Sequence, residues 1–339
     1  MPEIKKLLEE KLGKDLVKRE SLKKHTYIKI GGPVEYFYTA KNLADLIKIV
    51  KLAQENQIPY IVIGSGSNLV VSDSGFAGLV IKNEAAGLIF GKKATFAESG
   101  IKLPRLIRKL AEANLGGLEF LAGIPGTLGG AIYGNAGAYG KSLADLVDSI
   151  TVLDSNGQIK QLTNQDFDFG YRQSILKNRA KIDNSYYNRP VILSARLRIN
   201  PNNRESILRV VENYLKIRDK KIPIQPSAGC VFKNLEIPEK ASIDSKLRIF
   251  VVDHKLPAGL LIDKAIGKKV RIGRLEISDK HANFIVNRGR GKAVDFYRLV
   301  QIIKQQVKEK FSLDLEEEIE YLGEINTIKK GILDRVFKK

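Results

Sequence analysis

Apolar residues along this chain alternate between helical and strand-like spacing. Residues 1–24 are predicted to form a helical leader, with apolar positions at Ile4, Leu7, Leu8, Leu12 and Leu16. The stretch HTYIKIGGPVEYFYTA predicts a strand, a glycine turn and a return strand. NLADLIKIVKLAQENQIP then predicts an amphipathic helix with Asn42 as its N-cap.

Further along the chain, LPRLIRKLAEANL and SILRVVENYLKIRDKK predict helices, and PVILSARLRIN alternates like the closing strand of a first unit. The second of these helices is predicted to lead into a second unit. From Leu256 onward the pattern predicts a helix, two strands and the long helix VDFYRLVQIIKQQVKEKF. The chain shows neither an internal repeat nor a low-complexity linker.

Composition narrows the class of protein. The 339 residues are 43% hydrophobic and 28% charged, which is ordinary globular usage and enough for two or three domains. The single cysteine excludes an intramolecular disulfide, and the three scattered histidines do not have zinc-site spacing, so no metal is expected. Neither an apolar signal segment nor a membrane-length apolar run is present, which predicts a soluble, cytoplasmic protein.

The formal net charge of +19 suits nucleic acid, anionic membranes or polyphosphate ligands. The lysines, however, are spread along the whole chain, tryptophan is absent, and no basic stretch is interleaved with aromatic residues. A solvated lysine-rich surface is therefore favoured, and steering of anionic small molecules stays open. We expect no specific nucleic-acid partner and no membrane partner.

A first glycine motif, VIGSGSNLVVSD, resembles a dinucleotide-binding fingerprint only in part. That fingerprint requires a third glycine where Leu69 stands, followed by a helix, whereas Leu69, Val70 and Val71 favour a strand. A turn at 64–68 between two strands can still offer successive backbone N–H groups to a phosphate. A glycine-rich hairpin without a ligand is the alternative.

A second motif, GLEFLAGIPGTLGGAIYGNAGAYG, contains eight glycines and a single charged residue. Such density lets the backbone approach a flat or extended ligand closely, although a glycine-packed structural core is also compatible with it. The only cysteine follows in PIQPSAGCVFKN, where Ser227, Ala228 and Gly229 leave room for a ligand beside Cys230. On these residues alone, a buried inert cysteine is the favoured interpretation.

Seven motifs together resemble the UDP-N-acetylenolpyruvoylglucosamine reductase family in order and spacing, from about His25 to Gly323. They are IGSGSNLVVSDSGFAGLVI, GIPGTLGGAIYGNAGAYG, YRQSIL, SAGCVFKN, PAGLLIDKAIGKKVRIG, SDKHANFIVN and LDLEEEIEYLG. The moderate separation of YRQS from SAGC and the form of SDKHANFIVN resemble the group that lacks a large inserted substrate loop.

This resemblance implies an α+β fold. After the leader, a FAD-binding domain of the vanillyl-alcohol-oxidase (PCMH) type would span 25–200 in two lobes, 25–82 and 83–200. A C-terminal α+β substrate-binding domain would span 205–325, and 326–339 would be a basic tail.

The resemblance also implies the function: NADPH-dependent, FAD-mediated reduction of UDP-N-acetylglucosamine enolpyruvate to UDP-N-acetylmuramate, in peptidoglycan precursor synthesis. FAD would be non-covalent, since His25 and His281 lie outside the flavin-phosphate motifs. We expect a monomer or weak dimer whose ligands are NADPH and a UDP-sugar. Two alternatives remain, another FAD-dependent oxidoreductase of this fold and a non-enzymatic basic binding protein.

By the same resemblance, Arg172 and Glu318 are the charge-stabilising pair, with Glu316 as the competing candidate for the carboxylate. Cys230 stands where the family usually has serine and would donate a proton to the substrate carbon. The implied FAD contacts are Gly64, Ser65, Gly66, Ser67, Asn68, Gly123, Pro125, Gly126, Thr127, Gly129, Gly134, Asn135, Gly137 and Ala138. The implied substrate contacts are Tyr171, Lys221, Lys233, Asn234, Lys255 and His281.

Overall fold

A computed structural model describes residues 2–91, 94–183, 189–239 and 243–324. The chain forms two compact units whose segments interleave along the sequence. Unit 1 contains Met1–Glu20, Val34–Ser67 and Ala77–Ile224, and unit 2 contains Ser21–Pro33, Asn68–Phe76 and Gln225–Lys339. The last boundary falls between residues 224 and 225, whereas the sequence placed the start of the second domain at 205. The predicted basic tail, 326–339, lies outside the described residues.

The helices largely follow the sequence pattern. Their bounds are α1 Pro2–Leu12, α2 Leu43–Glu55, α3 Leu103–Glu112, α4 Leu128–Tyr133, α5 Ile175–Asp183, α6 Arg204–Lys221, α7 Ser245–Arg248, α8 Ala258–Ala265 and α9 Ala293–Phe311. The predicted cap of α2 is confirmed, because the Asn42 side chain accepts a hydrogen bond from the Asp45 amide at 2.9 Å. No helix in the described part of the chain is long and apolar enough to cross a membrane.

The first lobe of unit 1 is a four-stranded sheet packed with α1 and α2. Its strands, in spatial order, are Val17–Lys18, Val34–Ala40, Phe76–Asn83 and Tyr60–Ile63. The α-helix of the predicted leader ends at Leu12, because Gly13 takes a positive φ of 55°; a short 3-10 helix, Gly13–Asp15, follows it. Leu8 is fully buried in the core of this lobe, so the N-terminal helix belongs to unit 1.

The second lobe of unit 1 is a five-stranded antiparallel sheet packed on α3 and α4. Its spatial order is Ile159–Thr163, Val147–Leu153, Val191–Arg198, Ala94–Glu98 and Leu88–Phe90. Two short antiparallel pairs are Leu115–Gly116 with Asn200–Pro201 and Gly137–Ala138 with Lys141–Ser142. Val211 and Tyr214 of α6 pack against this core, so the helix predicted to lead into the second unit is part of unit 1.

Unit 2 is built on an antiparallel sheet covered by α8 and α9. Its strands, in spatial order, are Ser227–Cys230, Phe284–Asn287, Leu275–Ile277 and Arg271–Ile272. Leu235–Glu236 pairs with Lys255–Leu256, and Glu320–Leu322 pairs in parallel with Leu69–Val71. Leu261, Ile285 and Phe296 are fully buried in the core of this unit.

The predicted strand at the start of HTYIKIGGP is wrong, although its alternation is real. Thr26, Ile28 and Ile30 are buried, and the residues between them are exposed. The Ile28 carbonyl accepts a hydrogen bond from the Asn287 side chain at 2.8 Å, and the Ile30 carbonyl accepts one from the Thr26 hydroxyl at 2.8 Å. Side chains rather than a neighbouring strand bond these two carbonyls, and the segment packs into unit 2 without joining a sheet.

Candidate active site

Within unit 1, the turn of the first glycine motif lies beside the second motif. The turn at 64–67 follows the strand Tyr60–Ile63, as predicted. A Cβ atom on Gly64 would lie 2.2 Å from Thr127 Oγ1, and one on Gly126, whose φ is 152°, would lie 3.4 Å from Ser67 Oγ. Only glycine at position 64 therefore lets this turn approach the second motif so closely.

This turn offers a group of free backbone donors. Within the described part of the chain, the amides of Ser65, Gly66 and Ser67 donate no hydrogen bond to the protein. The first turn of α4 is different, because the amides of Leu128 and Gly129 donate to the carbonyls of Ile101 and Ser99. Three successive free N–H groups in a glycine-rich turn are suited to the oxygens of a phosphate.

Arg172 lies against the later part of the glycine-rich segment. Its Nη2 donates to the Gly137 carbonyl at 2.7 Å, its Nη1 donates to the Asn135 carbonyl at 3.4 Å, and its guanidinium carbon lies 5.3 Å from the centre of the Tyr171 ring. The Asn135 side chain in turn donates to the Gly170 carbonyl at 2.8 Å. Arg172 also has a positive φ of 55°, a conformation unusual for a residue with a side chain.

Cys230 lies in unit 2, at the end of the strand Ser227–Cys230, directly across from Phe284. It is half-buried, and a Cβ atom on the preceding Gly229 would meet no atom within 4 Å. The chain beyond Cys230 pairs with the acidic segment: the Glu318 amide donates to the Val231 carbonyl at 2.8 Å. The structure thus brings the Cys230 strand and the Glu318 segment together within unit 2, while Arg172 belongs to unit 1.

Most of the predicted substrate residues also lie in unit 2. Lys233 is only 5% exposed, and its Nζ lies 2.9 Å from Glu316 Oε1. Asn234 Oδ1 accepts a hydrogen bond from the Ala258 amide at 3.2 Å, at the start of α8. Lys255 is half-buried on a strand, opposite Glu236. Lys221 differs from these residues, because it is the exposed last residue of α6 in unit 1.

His281 packs near the partner of Cys230. Its ring meets the Phe284 ring edge-on, with 5.1 Å between the centroids. Its Nδ1 accepts a hydrogen bond from the Asn283 amide at 3.2 Å, which in a neutral imidazole assigns the proton to Nε2. His281 can therefore present an N–H donor through Nε2. Among the described residues, no group of three or more His, Cys, Asp or Glu side chains could hold a metal ion.

Sequence reasoning missed the side chains that hold these segments in place. Asn283 is buried and bonds both backbone groups of Phe232, accepting from its amide at 2.9 Å and donating to its carbonyl at 2.8 Å. The side chain of Asn68, a predicted FAD contact, donates to the Glu318 carbonyl at 3.0 Å. A polar residue within an otherwise apolar run, as in HANFIVN, was the available signal for Asn283.

Comparison with known proteins gives the family. A model described as UDP-N-acetylenolpyruvoylglucosamine reductase, C-terminal domain, matches residues 221–322, and an FAD binding domain model matches residues 34–163. The UDP-N-acetylenolpyruvoylglucosamine reductase of Alkaliphilus oremlandii is 37% identical over 308 residues, covering 90% of this chain and 92% of the relative. That of Clostridium novyi is 33% identical, with coverages of 95% and 97%.

A crystal structure of UDP-N-acetylenolpyruvylglucosamine reductase from Thermus caldophilus is similar in fold. Its TM-score is 0.69 at 31% identity, with 91% of this chain and 98% of that chain covered. The similarity therefore includes both the FAD-binding part and the C-terminal part of the chain. On these grounds, the chain belongs to the UDP-N-acetylenolpyruvoylglucosamine reductase family.

Proposed function

We propose that Arg172, Cys230 and Glu318 carry the chemistry of this family in this chain. The chain is an FAD-dependent oxidoreductase that uses NADPH to reduce UDP-N-acetylglucosamine enolpyruvate to UDP-N-acetylmuramate, a step of peptidoglycan precursor synthesis. The alternative of a different substrate is not favoured, since relatives matched over nine-tenths of the chain are named as this reductase. The observation that carries the residue assignment is the hydrogen bond from the Glu318 amide to Val231, next to Cys230.

The described residues fit the cofactor. The free amides of Ser65, Gly66 and Ser67 suit the FAD diphosphate, and the glycine stretch from Gly123 to Ala138 permits close approach of its ring systems. When bound, FAD passes a hydride from NADPH to the substrate. The protein contributes binding, orientation, charge stabilisation and the proton.

Addition of hydride to the CH2 carbon of the enolpyruvyl group places negative charge on the adjacent carbon, which is conjugated with the carboxylate. We assign Arg172 to stabilise this charge, because its guanidinium offers fixed donors to a carboxylate. Glu318 can assist at the carboxylate as a protonated acid that donates a hydrogen bond. The Cys230 thiol then supplies the proton to the carbon, so that hydride and proton together saturate the double bond.

For the uridine diphosphate end we propose Lys233, Asn234 and Lys255, with Lys221 as a further cation. Lysine suits a phosphate as a mobile point charge. Tyr171 and His281 are assigned to the sugar or to the reacting group. With its proton on Nε2, a neutral His281 ring can donate a hydrogen bond there. We further propose a cytoplasmic monomer or weak dimer without a nucleic-acid or membrane partner.

The proposed function has a direct test in the spectrum of the purified protein. We expect bound flavin that NADPH bleaches under anaerobic conditions, and whose colour enolpyruvyl-UDP-N-acetylglucosamine restores with formation of UDP-N-acetylmuramate. Each half of the cycle is recorded by stopped-flow absorbance, and the product by mass spectrometry. A colourless protein, or reduced flavin that this substrate does not reoxidise, contradicts the proposal.

Substitution of Gly64 by alanine is expected to weaken FAD binding by about 10-fold or more, because overpacking costs about 1–3 kcal/mol. The added methyl group would lie 2.2 Å from Thr127 Oγ1 and must displace the turn or Thr127. Flavin content and affinity are measured by absorbance and by titration of the apoprotein. Gly130→Ala is the matched control, since its methyl group meets only Thr127 Oγ1, at 3.6 Å. Wild-type affinity in Gly64→Ala would refute this location of the diphosphate.

A further inference from the structure

Three consecutive glutamates, Glu316, Glu317 and Glu318, form the segment that pairs with the chain after Cys230. Glu317 lies opposite Phe232 in an antiparallel bridge. The bonds on either side are Lys233 N–H to the Glu316 carbonyl at 2.9 Å and Glu318 N–H to the Val231 carbonyl at 2.8 Å. A slip of one residue would exchange the two faces of the segment. Since the three side chains are identical, their own chemistry does not select one register.

Glu317 is distinguished from its neighbours by two side-chain donors. The Tyr321 hydroxyl donates to its Oε2 at 2.8 Å, and Lys304 Nζ of α9 donates to its Oε1 at 3.0 Å. The Glu317 side chain is only 18% exposed, and its strand partner Phe232 is buried in the core of unit 2. Both oxygens of this carboxylate are therefore held on the side of the core and α9.

Tyr321 is itself well fixed. Its ring meets the Tyr297 ring edge-on at 6.1 Å. Burial, followed by the charge of Glu317, raises the pKa of Tyr321 far above its ordinary value. The hydroxyl therefore remains a protonated donor throughout the working range of pH.

The opposite face of the segment carries the groups assigned to the reaction. Glu316 pairs there with the buried Lys233, and because side chains alternate along an extended segment, Glu318 shares that face. Two hydrogen bonds join Asn68 to the same segment: its side chain donates to the Glu318 carbonyl at 3.0 Å, and its carbonyl accepts from the Glu320 amide at 2.9 Å. The backbone is thus held on both sides of Glu318.

We infer that Glu317, held by Lys304 and Tyr321, is a positioning residue that fixes the register in which Glu318 serves the reaction. The inference rests on the proposed role of Glu318. Losing either donor would release one oxygen of the Glu317 carboxylate and loosen the register of the segment. A displacement of about 1 Å at a reacting group can cost up to about 10²-fold in rate.

The test uses the full-length protein with bound FAD. Lys304→Met and Tyr321→Phe are expected to slow reoxidation of the flavin by the enolpyruvyl substrate about 10-fold or more, while reduction by NADPH stays within about 2-fold of wild type. Lys304→Arg keeps the charge and should restore the rate. Lys308→Met is the matched control, because it removes an ion pair with Asp314 that α9 makes on its exposed side.

A double variant separates positioning from general damage. If Tyr321 acts through Glu318, Tyr321→Phe should slow reoxidation little further in a Glu318→Gln background, because the affected group is already gone. Additive slowing in the double variant would overturn the inference. So would Lys304→Met and Tyr321→Phe variants that both reoxidise at the rate of Lys308→Met.

These outcomes are distinguishable from failure of the proposed function. Wild-type reoxidation in Glu318→Gln would remove the role of Glu318 itself. Slow Glu318→Gln together with normal Tyr321→Phe and Lys304→Met would refute only the positioning of Glu318 by Glu317. Should Lys304→Met lose flavin or stability, Tyr321→Phe decides alone, since phenylalanine keeps the ring that packs against Tyr297.

Discussion

Cys230→Ala is expected to leave reduction of bound FAD by NADPH intact and to slow product formation by about 10²–10⁴-fold, the usual contribution of a positioned general acid. The variant lacks the proton for the carbon next to the carboxylate, whereas the earlier hydride transfer from NADPH does not need this thiol. Cys230→Ser keeps a donor and should retain substantial activity. Stopped-flow absorbance for each half-reaction and product analysis by mass spectrometry measure the effect.

The serine variant is the control, because its hydroxyl keeps a proton donor at the position of the thiol whereas alanine has none. Turnover of Cys230→Ala at the wild-type rate would show that the proton comes from another group and that Cys230 only fills space.

Glu318→Gln and Arg172→Lys are expected to slow reoxidation of the flavin by about 10²–10³-fold, because the glutamine amide cannot share an acidic proton with the developing negative charge and lysine lacks the planar guanidinium. Reduction by NADPH should change little, because the charge that these groups stabilise appears only in the second half-reaction. Anaerobic stopped-flow absorbance separates the two rates.

Glu316→Gln is the matched control for Glu318→Gln, because the Glu316 carboxylate is paired with Lys233. A larger effect for Glu316→Gln than for Glu318→Gln would reverse the assignment between these two residues. If flavin reduction slows as much as reoxidation, Arg172 and Glu318 act in cofactor binding or reduction instead.

Local sequence signals predicted most of the elements. Asn42 identified the start of α2, and Leu69, Val70 and Val71 correctly indicated a strand where a dinucleotide-binding fold has a helix. The helix predicted for the leader was too long, because Gly13 ends α1. Glycine in the left-handed region is a common end to a helix, but the apolar spacing continues past it to Leu16.

The assignment of segments to units could not be predicted, because distant contacts decide it. The side chain of Asn287 bonds the Ile28 carbonyl across 259 residues of sequence and draws an N-terminal segment into unit 2. Alternation at Thr26, Ile28 and Ile30 showed only that one side of this segment is buried. Similarly, α6 has the pattern of any amphipathic helix, and nothing in that pattern says which core it covers.

For the candidate site, the sequence predicted residue types and roles through the family resemblance but not their contacts. The glycine spacing of the first motif predicted the turn that carries the free amides of Ser65, Gly66 and Ser67. The difference between Glu316, Glu317 and Glu318 was not visible, because identical neighbours carry no local signal of which face each one occupies. Lys304 and Tyr321, which make that difference, lie 13 residues before and 4 residues after Glu317.

The parallel pairing of Leu69–Val71 with Glu320–Leu322 has a consequence for biosynthesis. Asn68 and Glu318 are 250 residues apart, so a ribosome adding about 5–20 residues per second needs roughly 12–50 s to travel from one to the other. During that time the strand Leu69–Val71 is made, but its partner strand does not yet exist. The carboxylate proposed for the reaction therefore joins the Cys230 strand long after the strand Leu69–Val71 has been made, and a nascent chain cannot assemble these residues before Glu318 has been synthesised.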